Sequence, residues 1–374
     1  MSESLMELAI NGLRLMGRRY GVGRYIEYLL RHWSVTDHPF ARIVVYTPGP
    51  VDLSPWPFAT IEHRIVPTGG SSGYWEQVVL ARLRQKHDIL FCPSYVIPMM
   101  GAGKTVVTHL GSYEALPSAF PLLERWKSRL LYQLSAKRAD HVITVSESSK
   151  RDIVRFYDIP PEKVSVIYLG VDPLFRPITE ADLLASTRKR FFGVDRPYIL
   201  FVGKLSARRH IPELIAAYGS LRRTRMIPHG LLLVGSDTIG QNIPRLAQMH
   251  GVSKDLVHQD FASHEELVRI YNAADLFIYP SSYEGFGIPV LEAMACGVPT
   301  ITLRNSSFLE FAADTVYLAR DGGTQELSEA IVRVLDSQEL RTKMKTTGPI
   351  QAQRFGWASI ARQTMAVLTG VANP

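Results

Sequence analysis

The sequence predicts an α/β protein built from two doubly wound, Rossmann-like domains. Three observations carry that prediction. Short runs rich in β-branched residues recur without strict polar alternation, separated by segments of helical period, which is the pattern of buried strands in a parallel sheet. The pattern lapses after Tyr168 and starts again at Tyr198. The chain has 374 residues, 46% hydrophobic and 21% charged, which is more than one hydrophobic core usually serves.

In chain order, the first strand is expected at residues 8–11, followed by the glycine pair of Gly21-Val-Gly23. Further strands are expected at 42–46, 88–92, 105–109, 141–145 and 164–168, and His109 closes the third of these. Between them, residues 122–134 read as a helix with Leu122, Trp126, Leu130 and Leu134 on one stripe and Arg125, Lys127 and Arg129 elsewhere. Both an ordinary domain helix and a membrane-surface helix look like this. The segment from Asp172 to Pro197 carries prolines and an Arg188-Lys-Arg190 cluster but no sheet-like run, so the domain boundary is expected there, at 177/178. The second half supplies strands at 198–203, 230–235, 276–280 and 299–303, each followed by a helix-compatible stretch.

The strongest signal spans residues 279–300. A strand end leads through a glycine-containing loop into a helix with Pro289 near its start and Gly297 and Pro299 as its stop. The amides of Gly287, Ile288 and Val290 at that helix start are expected to lack partners inside the helix and to offer a diphosphate a place to bind. Glu284 precedes the helix and Glu292 lies about a turn inside it, so the two carboxylates would meet hydroxyls on different parts of one ligand. Two solvated acids on an amphipathic helix are the alternative. The loop Gly203-Lys-Leu-Ser-Ala-Arg-Arg-His210 offers Lys204, Arg208 and Arg209, and cations so placed stabilise a departing diphosphate by electrostatics, without a metal.

Composition narrows the partners. A net charge of +7 attracts anions, whether nucleotides or anionic lipid headgroups. Nucleic acid is not expected, because there is no finger spacing, no aromatic RNA-binding strand and no long Lys/Arg run. The two cysteines, Cys92 and Cys296, have no metal or disulfide spacing and read as packing residues. No apolar run approaches the ~20 residues of a membrane helix, and the acidic start does not resemble a secretory signal. The expected location is cytoplasmic, with peripheral attachment to the inner face of the plasma membrane as an open alternative.

The stretch Glu284-Gly-Phe-Gly-Ile-Pro-Val-Leu-Glu292 closely resembles the signature of the retaining GT-B glycosyltransferases of the family 4 type, which include bacterial mannosyl- and glucosyltransferases of surface polysaccharides. Tyr20-Gly-Val-Gly-Arg-Tyr25, Val145-Ser-Glu-Ser-Ser-Lys150, Gly170-Val-Asp172, the loop from Gly203 to His210 and Ala273-Ala-Asp-Leu276 fall where that family has matching motifs. The resemblance implies two domains facing across a cleft. Residues 1–177 would bind the acceptor and 178–354 the nucleotide-sugar donor, with a helix over 355–374 returning to the first domain. It implies that Glu284 contacts the donor sugar and Glu292 the ribose, and that Phe286 lies at the donor site. It further implies that Gly203, Lys204, Arg209 and Arg208 hold the phosphates, that Gly21 and Gly23 admit the diphosphate, and that His109 lies near the sugar.

The implied reaction moves a hexose to a saccharide or lipid-linked acceptor with retained configuration and no required metal or cofactor. Mannose from GDP-mannose is favoured through the Asn305-Ser-Ser-Phe-Leu-Glu310 stretch, with UDP-glucose or another UDP-sugar next. The chain departs from the family at Arg209, where lysine is usual, at Leu110, where an aspartate often follows the histidine, and at Asp260, where glycine is usual. A sugar-nucleotide epimerase of the same fold and a non-catalytic nucleotide-sugar binder are the rival classes. The Glu284 to Glu292 signature and the cationic loop speak against both.

Overall fold

The computed structural model describes residues 6–17, 21–53, 61–112, 122–237 and 239–373, and for 122–126 the backbone alone. The expected N-terminal reading of residues 1–5 and Tyr20 in the glycine motif lie outside those residues. The chain forms two compact units, Met1–Leu169 with Trp357–Pro374, and Gly170–Gly356.

The first unit is a seven-stranded sheet of β1 (Met6–Asn11), β2 (Phe40–Thr47), β3 (Ile61–Ile65), β4 (Ile89–Cys92), β5 (Lys104–His109), β6 (His141–Thr144) and β7 (Val164–Val166). Every pairing is parallel, in the order β3-β2-β1-β4-β5-β6-β7. Its helices are α1 (Val22–Trp33), α2 (Ser72–Tyr74), α3 (Leu80–Arg84), α4 (Leu122–Arg138) and α5 (Glu147–Tyr157). A π-helical turn, Trp75–Val79, joins α2 to α3.

The second unit holds β8 (Tyr198–Val202), β9 (Gly230–Val234), β10 (Leu256–Gln259), β11 (Leu276–Tyr279), β12 (Thr300–Leu303) and β13 (Tyr317–Ala319). They form a parallel sheet in the order β10-β9-β8-β11-β12-β13. Around it lie α6 (Ala181–Phe192), α7 (Ile211–Thr224), α8 (Ile243–Met249), α9 (His264–Ala273), α10 (Ile288–Ala295), α11 (Phe308–Phe311), α12 (Thr324–Asp336) and α13 (Gln338–Ala352). The last helix, α14 (Trp357–Ala372), belongs to the first unit: Trp33 Nε1 donates to the Ala361 carbonyl at 3.0 Å, and Tyr28 stacks on Trp357 with ring centroids 4.5 Å apart.

The α/β class is therefore as expected, and the differences have local causes. Strands β3, β10 and β13 were not anticipated. Each lies at a sheet edge and is only partly buried, so none carries the continuous apolar run of an interior strand. The β7 pairing ends at Val166, short of the expected Tyr168. The break between the units falls at Leu169/Gly170 rather than after Pro177. Residues 170–178 are tied to the second unit, where Val171 N–H donates to the Phe355 carbonyl at 3.0 Å, His264 meets Asp172 at 3.3 Å, and Ile178 N–H donates to Asn272 Oδ1 at 2.7 Å.

Helix α4 runs four residues past the expected end, to Arg138. Its inward face is Tyr132, Ser135 and Ala136, whereas Leu130 and Leu134 are 58% and 41% exposed. The expected apolar stripe thus faces outward over the part whose side chains are described. Among the described residues no helix is long and apolar enough to cross a membrane.

In both sheets the strand order reverses beside the first strand, between β1 and β4 and between β8 and β11. Connections on the two sides of such a point diverge at the carboxyl ends of the strands and leave a crevice, which is where open α/β sheets bind ligands. In the second unit the loops at that point start at Gly203 and at Pro280.

Candidate active site

The loop leaving β8 is held by the sheet itself. Gly203 N–H donates to the Val234 carbonyl at 2.8 Å and Leu205 N–H to the Ser236 carbonyl at 2.9 Å, extending the β8–β9 ladder beyond the strands. Residues Ala207–Arg209 make one 3-10 turn. The turn folds Arg209 back so that its Nη1 donates to the Lys204 carbonyl at 2.7 Å. A side chain on Gly203 would put its Cβ 2.7 Å from Arg209 Nη1, so the missing side chain is what admits the guanidinium.

The loop leaving β11 brings up the opposite charge. Glu284 Oε1 accepts from the Tyr279 hydroxyl at 2.8 Å, from the Ser281 hydroxyl at 3.0 Å, from Arg209 Nε at 3.1 Å and from Arg208 Nη1. Arg209 Nη2 lies 3.0 Å from the same oxygen, and its guanidinium sits 5.1 Å over the Tyr279 ring. Glu284 is 5% exposed and Arg209 8%. Burial by itself would raise the Glu284 carboxyl, but Arg208, then Arg209, then the Tyr279 hydroxyl outweigh it and hold the group down to about 2. The cluster is therefore a permanently ionised carboxylate under two guanidiniums, with a net positive charge fixed at the switch point. Three of the five N–H donors of Arg209 are used in holding this geometry.

A second loop braces the first. Glu284 N–H donates to Ser306 Oγ at 3.3 Å, Asn305 Nδ2 to the Ser281 carbonyl at 3.0 Å, and Ser307 Oγ to the Phe286 carbonyl at 2.5 Å. Phe286 stacks on Phe311 with centroids 4.7 Å apart. Gly287 caps α10 at φ +105°, a conformation that L side chains rarely adopt, and a Cβ there would lie 2.5 Å from the Phe308 ring.

The expectation for the helix start needs one correction. Val290 N–H is not open to a ligand, because the chain tightens there and it donates to the Gly287 carbonyl at 3.0 Å. Pro289 has no N–H, so among the described residues the helix start offers the amides of Gly287 and Ile288. Glu292, in the second turn of α10, is 4% exposed and accepts from the Tyr271 hydroxyl at 3.0 Å. Neither carboxylate is the solvated acid of the simpler alternative.

The remaining candidates lie in the first unit. Gly21 caps α1, and Gly23 is buried in its first turn. His109 ends β5 with no exposed surface, ringed by Tyr95, Tyr157 and Tyr132 at centroid distances of 5.3, 5.4 and 6.1 Å. Burial pushes its imidazole down to about 3, so it is neutral, and among the described residues neither ring nitrogen has a hydrogen-bond partner.

That burial makes a stability prediction. A histidine protonated near 6.5 when unfolded and near 3 when folded binds its proton better in the unfolded chain, so the folded state loses stability as pH falls from 6.5 towards 3. The variant His109→Phe fills the same tyrosine-lined space. It is expected to melt at or above the wild-type temperature at pH 7 and to lose part of this acid sensitivity. A fall of several degrees at pH 7 in a thermal melt would show that the imidazole has a structural partner.

The structure thus brings Gly203, Arg208, Arg209 and Glu284 together at the ends of β8 and β11, while Phe286, Gly287, Ile288, Val290 and Glu292 follow on the loop and helix after β11. The Lys204 side chain is exposed on the same loop, its carbonyl held by Arg209. Sequence reading missed Tyr279, Ser281 and Tyr271, whose hydroxyls fix the two carboxylates. A signal existed for Tyr279, since a tyrosine closing the apolar strand Leu276–Tyr279 must find a partner for a buried hydroxyl.

Comparison with known proteins bears on the family and the fold. The family model described as Glycosyltransferase Family 4 matches residues 20–174, and that described as Glycosyl transferases group 1 matches residues 185–351. The chain is similar to the O-antigen chain mannosyltransferase B of Escherichia coli, 28% identical over 246 residues covering 64% of this chain and 63% of that protein. It is also similar to the serotype-specific mannosyltransferase WbdA of Escherichia coli, 27% identical over 230 residues covering 60% of this chain and 28% of that protein. The chain therefore spans less than two thirds of the length of either relative. Among solved structures, HepE of Anabaena in complex with UDP and glucose aligns with a TM-score of 0.79 at 18% identity over 98% of this chain and 100% of that one, a likeness of fold. The fold is that of the GT-B glycosyltransferases. With one model on each unit and these relatives, the chain belongs to the family 4 type.

Proposed function

We propose that this chain transfers a hexose from a nucleoside-diphosphate sugar to a saccharide or lipid-linked acceptor with retention of configuration. The observation that carries the reading is the buried cluster of Arg208, Arg209 and Glu284 at the ends of β8 and β11. A net positive charge locked there before any ligand arrives needs no reorganisation when negative charge develops on a leaving diphosphate. The bond from the anomeric carbon to the diphosphate oxygen breaks and the acceptor oxygen bonds to that carbon on the same face. The departing phosphate takes the acceptor's proton. Glu284 would bind sugar hydroxyls, Glu292 the ribose, and Lys204 with the amides of Gly287 and Ile288 the phosphates, while His109, Gly21 and Gly23 would serve from the first unit. Arginine and lysine would do the charge work assigned elsewhere to a metal.

Mannose from GDP-mannose is the favoured donor, supported by the mannosyltransferases among the relatives. UDP-glucose stands second, supported by the fold likeness to a protein solved with it. The outward Leu130 and Leu134 of α4, flanked by Lys127, Lys137 and Arg138, support peripheral contact with an anionic membrane face, where a lipid-linked acceptor resides.

Calorimetric titration of GDP, UDP, GDP-mannose and UDP-glucose into the wild type and Glu292→Ala, each with and without EDTA, tests the donor site. One nucleotide family is expected to bind irrespective of EDTA, about tenfold or more weakly in a variant that still melts cooperatively. Absence of binding by every nucleotide would overturn the reading.

A further inference from the structure

We infer that the groove beside the β3 edge of the first unit binds an acidic glycan, a saccharide chain bearing carboxylate or phosphate. The inference rests on the transferase reading above. The groove encloses about 680 Å³ between the loop 66–70 and one stripe of the helix that follows. Val66, Val79 and Leu83 form its apolar floor, Arg82 and Lys86 its rim, and Tyr74 one end.

Three features point to this ligand. The first is the aromatic end, since Tyr74 is 46% exposed and an exposed ring is a platform on which the C–H face of a sugar packs. Its position is set by Gly70, where a Cβ would meet the ring at 2.7 Å, so the loop backbone lies directly against the tyrosine. The second is a polar wall already in place. Gly70 N–H donates to Thr68 Oγ1 at 3.1 Å and Tyr74 N–H to Ser71 Oγ at 3.3 Å, and open space lies over Gly69, so hydroxyls can reach main-chain groups there.

The third is charge. Arg82 and Lys86 are exposed, and neither pairs with a carboxylate among the described residues. The neighbouring charged residues of the same helical segment face elsewhere: Glu76 is 7% exposed, and Arg84 is buried with its guanidinium on the Gly103 carbonyl. No acidic residue lines the groove among the described residues. A neutral glycan would leave the two cations unused, and a bare anion would leave the ring and the floor unused. A glycan with an acidic group uses all three.

The test titrates trigalacturonate, maltotriose and inorganic phosphate into the wild type, Tyr74→Ala and the double variant Arg82→Ala/Lys86→Ala. Each is run at low and at physiological ionic strength, with nucleotide titrated into the same samples. Trigalacturonate is expected to bind the wild type more tightly than either comparison compound and to weaken with salt. It should also weaken about tenfold in the double variant, as two charge-assisted contacts are lost, and measurably in Tyr74→Ala. Nucleotide binding should be the same in all three proteins, which shows that the variants are folded. Equal trigalacturonate affinity in the wild type and double variant, or no preference over phosphate or maltotriose, would overturn the inference. If nucleotide still binds, the transferase reading survives that result. Loss of nucleotide binding by the wild type strikes the transferase reading instead.

Discussion

Replacing Glu284 by glutamine is expected to lower stability by about 3 kcal/mol at pH 7. The estimate follows from linkage: a carboxyl at 4.5 in a free chain and about 2 when folded contributes roughly 1.4 kcal/mol per unit of displacement. The group is 5% exposed, so little solvent screening reduces the figure. Because the folded value is depressed, the contribution is complete above about 4.5 and disappears as pH falls through about 2. The gap between wild type and Glu284→Gln in a thermal melt should therefore be wide and level from neutrality down to about pH 5 and close in stronger acid. Transfer should fall about a hundredfold or more, since Arg208 and Arg209 lose the negative charge that orients them and Arg209 is left as an uncompensated buried charge. Wild-type melting by the variant at pH 7 would show that the carboxylate does not hold the pair together.

The variant Gly235→Ala should be comparably severe through the backbone alone. Gly235 sits at φ +142°, and a Cβ there would fall well inside contact distance of the Gly203 carbonyl oxygen, which no rotamer change can relieve. Backbone strain together with the displaced neighbour is expected to cost about 3 kcal/mol or more. The displacement is aimed at the site, because the peptide pushed away is the neighbour of the one whose carbonyl, that of Lys204, accepts from Arg209. Nucleotide affinity should drop with stability. Gly240→Ala is the control: φ there is +67° and nothing lies within 4 Å of the new atom, so about 1 kcal/mol of backbone strain and no loss of nucleotide binding are expected. Unchanged nucleotide affinity in Gly235→Ala would mean that the β8 and β9 loops do not constrain each other.

Much of the candidate site is legible in the amino-acid sequence. Pro289, Gly297 and Pro299 mark the helix that carries Glu292, and Gly203 with its cations marks the loop after a buried strand, because these are local statements about backbone and period. The engagement of Arg208 and Arg209 with Glu284 is not legible there. The residues are about 75 positions apart and meet only because β8 and β11 are neighbours in the sheet. The same holds for Tyr271, whose hydroxyl reaches Glu292 from α9, and for the serines of 306 and 307 that brace the loop from beyond β12.

By itself, the sequence determined the α/β class, the interior strands and the two glycine-bearing loops, all of which follow from local periodicity and turn chemistry. The tertiary structure decided which strands close the sheet edges and that the loop cations meet a carboxylate rather than solvent. Partly buried edge strands leave little apolar signature in a single chain, and a buried charge is defined by partners brought from distant positions.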